Sequence, residues 1–232
     1  MLVMGQPQFG TQDDNGTGDG LSLIPEWQLG ASGPHHDIPQ FGSVDVGTDV
    51  ANAFTRLRNI FQRARDVPLP TTRLHDLICF VVHRLLLPPS DAQTCPSQPA
   101  TECMRSAIVL YMFIIQGPTY YSHSVILNTI VTRYMGYLTQ LEDAVPIQES
   151  LHVWLLAMGL VASDGTTHHQ WFVERARCSV ATFQLCVWDE VFSHIKSILW
   201  LETPHGEADF RPHWDTVLDM TKPPPMHRWY PI

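Results

Sequence analysis

Twelve histidines and five cysteines in 232 residues make metal binding the first chemistry to examine. A zinc site needs ligands spaced as Cys-x2-4-Cys, or as histidines sharing one helix face, with a second cluster nearby. Neither pattern occurs. His168 and His169 are adjacent, so on a helix they point about 100° apart and cannot both hold one ion unaided. His35 and His36 sit in a stretch with no scaffold to fix a coordination geometry. The expectation is therefore no metal site and no tight zinc binding.

Nucleophilic chemistry finds little support either. There is no Gly-x-Ser-x-Gly elbow, and no cysteine has local basic residues together with an obvious paired histidine. Cys178, flanked by Arg175 and Arg177, comes nearest to an activated thiol, but its helical phase puts it beside a buried stripe as a core or boundary residue. The run Gly16-Thr17-Gly18-Asp19-Gly20 follows no strand and opens no helix, so it does not read as a phosphate loop. The tidiest carboxylate pair, Asp189-Glu190, is explained by a helix start, where the dipole favours acids. The chain reads as non-enzymatic, with no catalytic residue and no cofactor.

Composition narrows the class of partner. A net charge of −9, with Lys196 and Lys222 the only lysines, opposes autonomous nucleic-acid binding, which draws most of its affinity from neutralising phosphates. Charged residues make up 16% of the chain against roughly 25% in typical soluble domains. Such a chain must bury much of itself or bind something. The cysteines Cys79, Cys95, Cys103, Cys178 and Cys186 are odd in number and widely spaced, mostly within apolar stretches, which suits small buried hydrophobes in a reducing compartment. The first ten residues lack the pattern of a secretory signal, so the chain is not expected to be secreted and the sequon at Asn15 is not expected to carry glycan.

The elements that would position any site read as helices. Residues 1–46, rich in Gly, Gln, Asp, Pro and Ser, match neither period and read as a flexible arm. From Thr48 or Asp49 as N-cap, Val50, Phe54, Leu57, Ile60, Phe61 and Ala64 recur at helical spacing, with Arg56, Arg58, Arg63 and Arg65 on a solvated outer face. A second helix carries Leu74, Leu77, Ile78, Val81, Val82, Leu85 and Leu86, and Pro88-Pro89 ends it. A third opens near Thr101 and is apolar on every side from Ala107 to Ile115, which places it at the bundle centre; the run is too short to cross a bilayer.

Four more helices follow, over about 120–141, 148–162, 166–187 and 189–199, with Gly159 expected to admit a neighbouring backbone. A short helix near Trp214–Leu218 precedes a proline-rich tail at 220–232. No strand pattern of comparable length occurs. The fold class is all-α, a multi-helix bundle or orthogonal helical array of about seven to eight helices occupying residues 47–219.

Within 147–201, one set of residues carries more than periodicity. Leu151-His152-Val153-Trp154-Leu155-Leu156 runs on through Gly159 and Ala162; then come Trp171-Phe172-Val173 with Arg175, then Trp188-Asp189-Glu190-Val191, and finally Ile198-Leu199-Trp200. This resembles the C-terminal part of the transcription-factor domain of fungal binuclear zinc-cluster regulators, and in looser layout the likeness extends over about 50–215. The resemblance implies an all-helical module that regulates transcription from the nucleus, often of metabolic or secondary-metabolite genes. It implies a protein partner, either transcription machinery or a DNA-binding regulator, with homodimerisation left open. The motif residues Trp154, Gly159, Trp171, Phe172, Arg175, Trp188, Glu190, Val191, Leu199 and Trp200 are expected to be structural, since large aromatics are more often core than ligand-binding.

The sequence departs from that family in lacking the six-cysteine zinc cluster, the basic linker and the coiled coil, so no direct DNA binding is expected from it. The competing expectation is a helical small-molecule-binding protein or an enzyme of a metabolic gene cluster, cytoplasmic in that case.

Overall fold

The computed structural model describes residues 24–31, 41–86, 98–117, 124–203 and 205–221. Among these residues the chain is built of nine helices and no strand: α1 (Pro25–Ala31), α2 (Thr48–Ala64), α3 (Thr71–Leu86), α4 (Pro99–Gln116), α5 (Ser124–Ala144), α6 (Glu149–Ala162), α7 (His169–Phe183), α8 (Trp188–Ile198) and α9 (Gly206–Thr221). The all-α expectation holds, with two departures at the ends. None of these helices is long and apolar enough to cross a membrane.

The first departure is α1, which lies inside the stretch 1–46 expected to be a flexible arm. Trp27 is fully buried and packs on Phe80 of α3 with ring centroids 5.2 Å apart, and Ile24 and Val44 are buried too. The last four carbonyls of a helix have no partner within it. Side chains of α2 supply two of them in α1, Asn59 donating to Gly30 at 2.8 Å and Arg63 to Leu29, and Arg56 also donates to the Trp27 carbonyl at 3.1 Å. Arg56 also lies over the Trp27 ring, 5.3 Å from its centroid. Two of the four arginines read as a solvated face are thus docking residues. At Gly30 a Cβ would stand 3.0 Å from the Arg56 carbonyl oxygen, so glycine permits this close approach. Residues 1–23 and 32–40 of the arm, including His35, His36 and the Gly16–Gly20 run, lie outside the described residues, as do Cys95, Pro88-Pro89 and 222–232.

The second departure is α9, which extends well beyond the short helix expected near Trp214. Pro212 lies inside α9, and its missing donor is tolerated because Phe210, Trp214, Val217 and Leu218 form a continuous buried stripe at helical spacing. Burial outweighs one lost backbone hydrogen bond here.

Helix α4 is central, as its all-round apolar sequence implies: it packs on α2, α3, α5 and α6, and Ala107–Met112 are all buried. Helix α6 shares that position, packing on α4, α5, α7, α8 and α9 with nearly every side chain inside. Two tyrosines lock the pair to the rest. Tyr111 of α4 accepts a hydrogen bond from the Leu201 amide at 2.7 Å, and Tyr134 of α5 donates to the Leu155 carbonyl at 2.8 Å. Burial pushes both phenols above their ordinary range, so they stay protonated at physiological pH.

The helix starts differ from the expected caps. Thr48 and Asp49 are inside α2, whose N-cap is Gly47; its amide donates to Thr101 Oγ1 at 2.8 Å. Helix α7 starts at His169, and Thr166 acts earlier, bonding the Ser163 carbonyl at 2.7 Å.

Candidate functional site

The motif residues divide into rings that fill the core and polar groups that fasten helix ends. Trp154 is fully buried in α6, meets Phe54 and Tyr111 edge-on at 6.2 Å each, and donates its indole N–H to the Leu199 carbonyl at 3.1 Å. Leu199 leaves α8 in extended backbone, which turns Trp200 inward against Phe192 and Phe210, with centroids at 5.0 and 5.4 Å. Trp188 stacks on Phe192 at 5.1 Å and donates to Glu207 of α9 at 2.9 Å, while Val191 is wholly buried. Glu190 reaches back as an N-terminal cap, accepting the amides of Cys186 at 2.7 Å and Val187 at 3.3 Å. Such a cap stabilises a helix by about 1 kcal/mol.

Gly159 plays a different part from the one expected. The group it admits is a ring, not a backbone: a Cβ there would lie 2.0 Å from Phe172 Cε1. Phe172 of α7 is also stacked with Tyr134 of α5, their centroids 6.0 Å apart. Trp171 is half-buried, edge-on to Phe172 at 4.8 Å, with the Arg175 guanidinium 4.7 Å from its centroid.

Arg175 opens the first of three polar constellations. It pairs with Glu142 of α5, whose other carboxylate oxygen accepts from His152 Nε2 of α6 at 2.8 Å; His152 Nδ1 meets Ser179 Oγ of α7 at 3.3 Å. Burial lowers the His152 pKa, which keeps the ring neutral near pH 7. The chain Arg175–Glu142–His152–Ser179 ties three helices together and leaves its members committed to one another.

The second set is Glu149, Ser150 and His194. Ser150 Oγ is 2.9 Å from His194 Nδ1, and His194 Nε2 is 3.1 Å from Glu149 Oε1. Hydroxyl, imidazole and carboxylate in that order form the relay that activates a serine nucleophile. Ser150 also borders a cavity of about 270 Å³ shared with Phe41, Phe54, Arg58 and Ser197.

The third set was not legible in the sequence. Asp164 from the α6–α7 turn, His169 at the start of α7 and His213 of α9 bring their donor atoms within 4.8 Å of one another. The sequence reading judged His168 and His169 by their local spacing and named no metal ligand; His168 faces Thr132 of α5 with Nε2 at 3.0 Å from its hydroxyl. The histidine grouped with His169 lies 44 positions on, where only the packing of α9 against α6 and α7 could reveal it.

Among the described cysteines the sequence reading holds at Cys103, which is buried with its thiol pKa raised by desolvation. It fails at Cys178 and Cys186, which are exposed and free. Arg175 and Arg177 do not convert Cys178 into a core residue. Its position on α7 faces outward because Phe172, Ala176, Ser179 and Val180 take the buried stripe. Compared with known proteins, the chain matches no family model, no curated protein and no solved structure.

Proposed function

We propose that the chain is a transcription regulatory domain of the fungal zinc-cluster type, working in the nucleus through a protein partner and without DNA contacts or chemistry of its own. The observation that carries this reading is the placement of the residues that bear the resemblance. Trp154, Phe172, Trp188, Val191, Leu199 and Trp200 are packing residues and Glu190 is a cap, so the likeness lies in what defines the fold, as a domain signature should. The charge of −9 repels phosphate, and two of the basic side chains on α2 are occupied by the carbonyls of α1. A small effector would find room in the cavity of about 350 Å³ lined by Leu74, His75, Ile78 and Gln116 of α3 and α4.

The Ser150–His194–Glu149 relay favours a second reading, a serine hydrolase with an attacking Ser150 Oγ, in keeping with the enzyme alternative.

One experiment separates the two readings. The full chain is fused to a heterologous DNA-binding domain in a fungal cell, and reporter output is measured alongside labelling of the purified chain by a fluorophosphonate. The regulatory reading requires a several-fold change in output that Ser150→Ala leaves intact, with no labelling. A nuclear, folded fusion that leaves the reporter unchanged overturns it, and labelling that Ser150→Ala abolishes establishes the hydrolase instead.

A further inference from the structure

We infer that Asp164, His169 and His213 form a binding site for a zinc ion, or a chemically similar borderline ion, that pins α9 to the α6–α7 turn. Their donor atoms already lie within 4.8 Å of one another. Zinc bonds of about 2.0–2.1 Å in tetrahedral geometry need donors about 3.4 Å apart, a contraction that side-chain rotation supplies. Two imidazoles and one carboxylate suit zinc, cobalt(II) or nickel(II) rather than calcium or magnesium, which take oxygen donors. The fourth position falls to water or to a group from outside, since Asp164 is exposed.

Independent geometry supports the assignment. Ser163, fully buried, donates its single hydroxyl proton to the Leu160 carbonyl at 3.2 Å. Its oxygen also lies 3.3 Å from His169 Nδ1, where it can accept Nδ1–H and leave Nε2 for the ion, the arrangement by which an outer hydrogen bond orients a metal-binding histidine. The His169 amide is bonded to the Thr166 carbonyl at 3.3 Å, so the backbone under the ring is held as well.

The titratable groups around His213 are Asp164, His169 and Asp209, the last standing one helical turn before it on α9. The His169 and His213 rings meet at 5.5 Å between centroids and 63° between planes, close without stacking, so that both can turn toward a common point.

The test uses the full chain, freed of metal with a chelator and titrated with zinc by calorimetry and with cobalt(II) by absorption. One equivalent per chain is expected, with micromolar or tighter affinity, a tetrahedral cobalt spectrum and a rise in the unfolding temperature. His169→Gln or His213→Gln should weaken zinc by about 100-fold or more, and Ser163→Ala, which removes the hydroxyl beside His169 Nδ1, by about 10-fold. His168→Gln, whose ring faces Thr132, should leave the zinc affinity unchanged. If a histidine variant does not fold by circular dichroism, Asp164→Asn in the exposed turn serves in its place and should also weaken binding. The inference is overturned if wild type binds no zinc, or if the His169→Gln/His213→Gln double variant binds it as tightly and gains the same thermal shift.

Discussion

Gly159→Ala should destabilise the protein by about 3 kcal/mol or more, at the upper end of what overpacking costs. The added methyl would sit 2.0 Å from Cε1 and 2.2 Å from Cδ1 of Phe172. That ring has little room to swing away, because Tyr134 stacks against it and both rings are fully buried. Relief must then come from separating α6 and α7, which also strains the Glu142 network bridging them. A compensating change makes the mechanism checkable. Phe172→Leu alone should cost about 1 kcal/mol, and added to Gly159→Ala it should recover about 1 kcal/mol or more of the loss, a coupling in the range found for residues in direct contact. Denaturant midpoints of the four proteins measure this. Simple additivity would mean that Gly159 is there for another reason.

Trp27→Ala should cost about 3–5 kcal/mol, as expected for a buried tryptophan. The indole has no exposed surface, lies against Phe80 and carries the Arg56 guanidinium on its face. Its removal leaves a cavity between α1 and α3 and loosens the arginine that bonds the Trp27 carbonyl. Equilibrium unfolding of the variant decides the point. A loss below about 0.5 kcal/mol, the usual effect of a surface substitution, would return residues 24–31 to the status of an unanchored arm.

The central helices were legible because their apolar residues recur at three and four positions over long, uninterrupted stretches. Val50 to Ala64 reproduces α2 at its apolar positions, and Leu151 to Ala162 reproduces the body of α6. Elements that depend on distant partners were not legible. Helix α1 has seven residues in a Gly- and Pro-rich setting, and its stability comes from α2 and α3 rather than from its own propensity. In α9 the buried stripe from Phe210 to Leu218 carries the helix through Pro212, so tertiary burial outweighs the lost donor.

The same division holds for the sites. Glu190 was readable as a helix-start residue because its partners are three and four positions away. Asp164, His169 and His213 were not, since spacing rules recognise ligands on one element and this set draws on a turn, a helix start and a remote helix. Ser150 and His194 share that difficulty, being 44 residues apart.

Trp154, Phe172, Trp188 and Trp200, which bear the resemblance, are buried in what should be one cooperative core. Hydrogen exchange of the whole chain, resolved by peptide, tests this most directly. Amides of α4 and α6 should exchange only through global unfolding, and the Leu201 amide, bonded to Tyr111, should be protected with them. Exchange within seconds across α6 and Leu201 would contradict the account, because Trp154 and Trp200 would then line an opening surface instead of a packed interior.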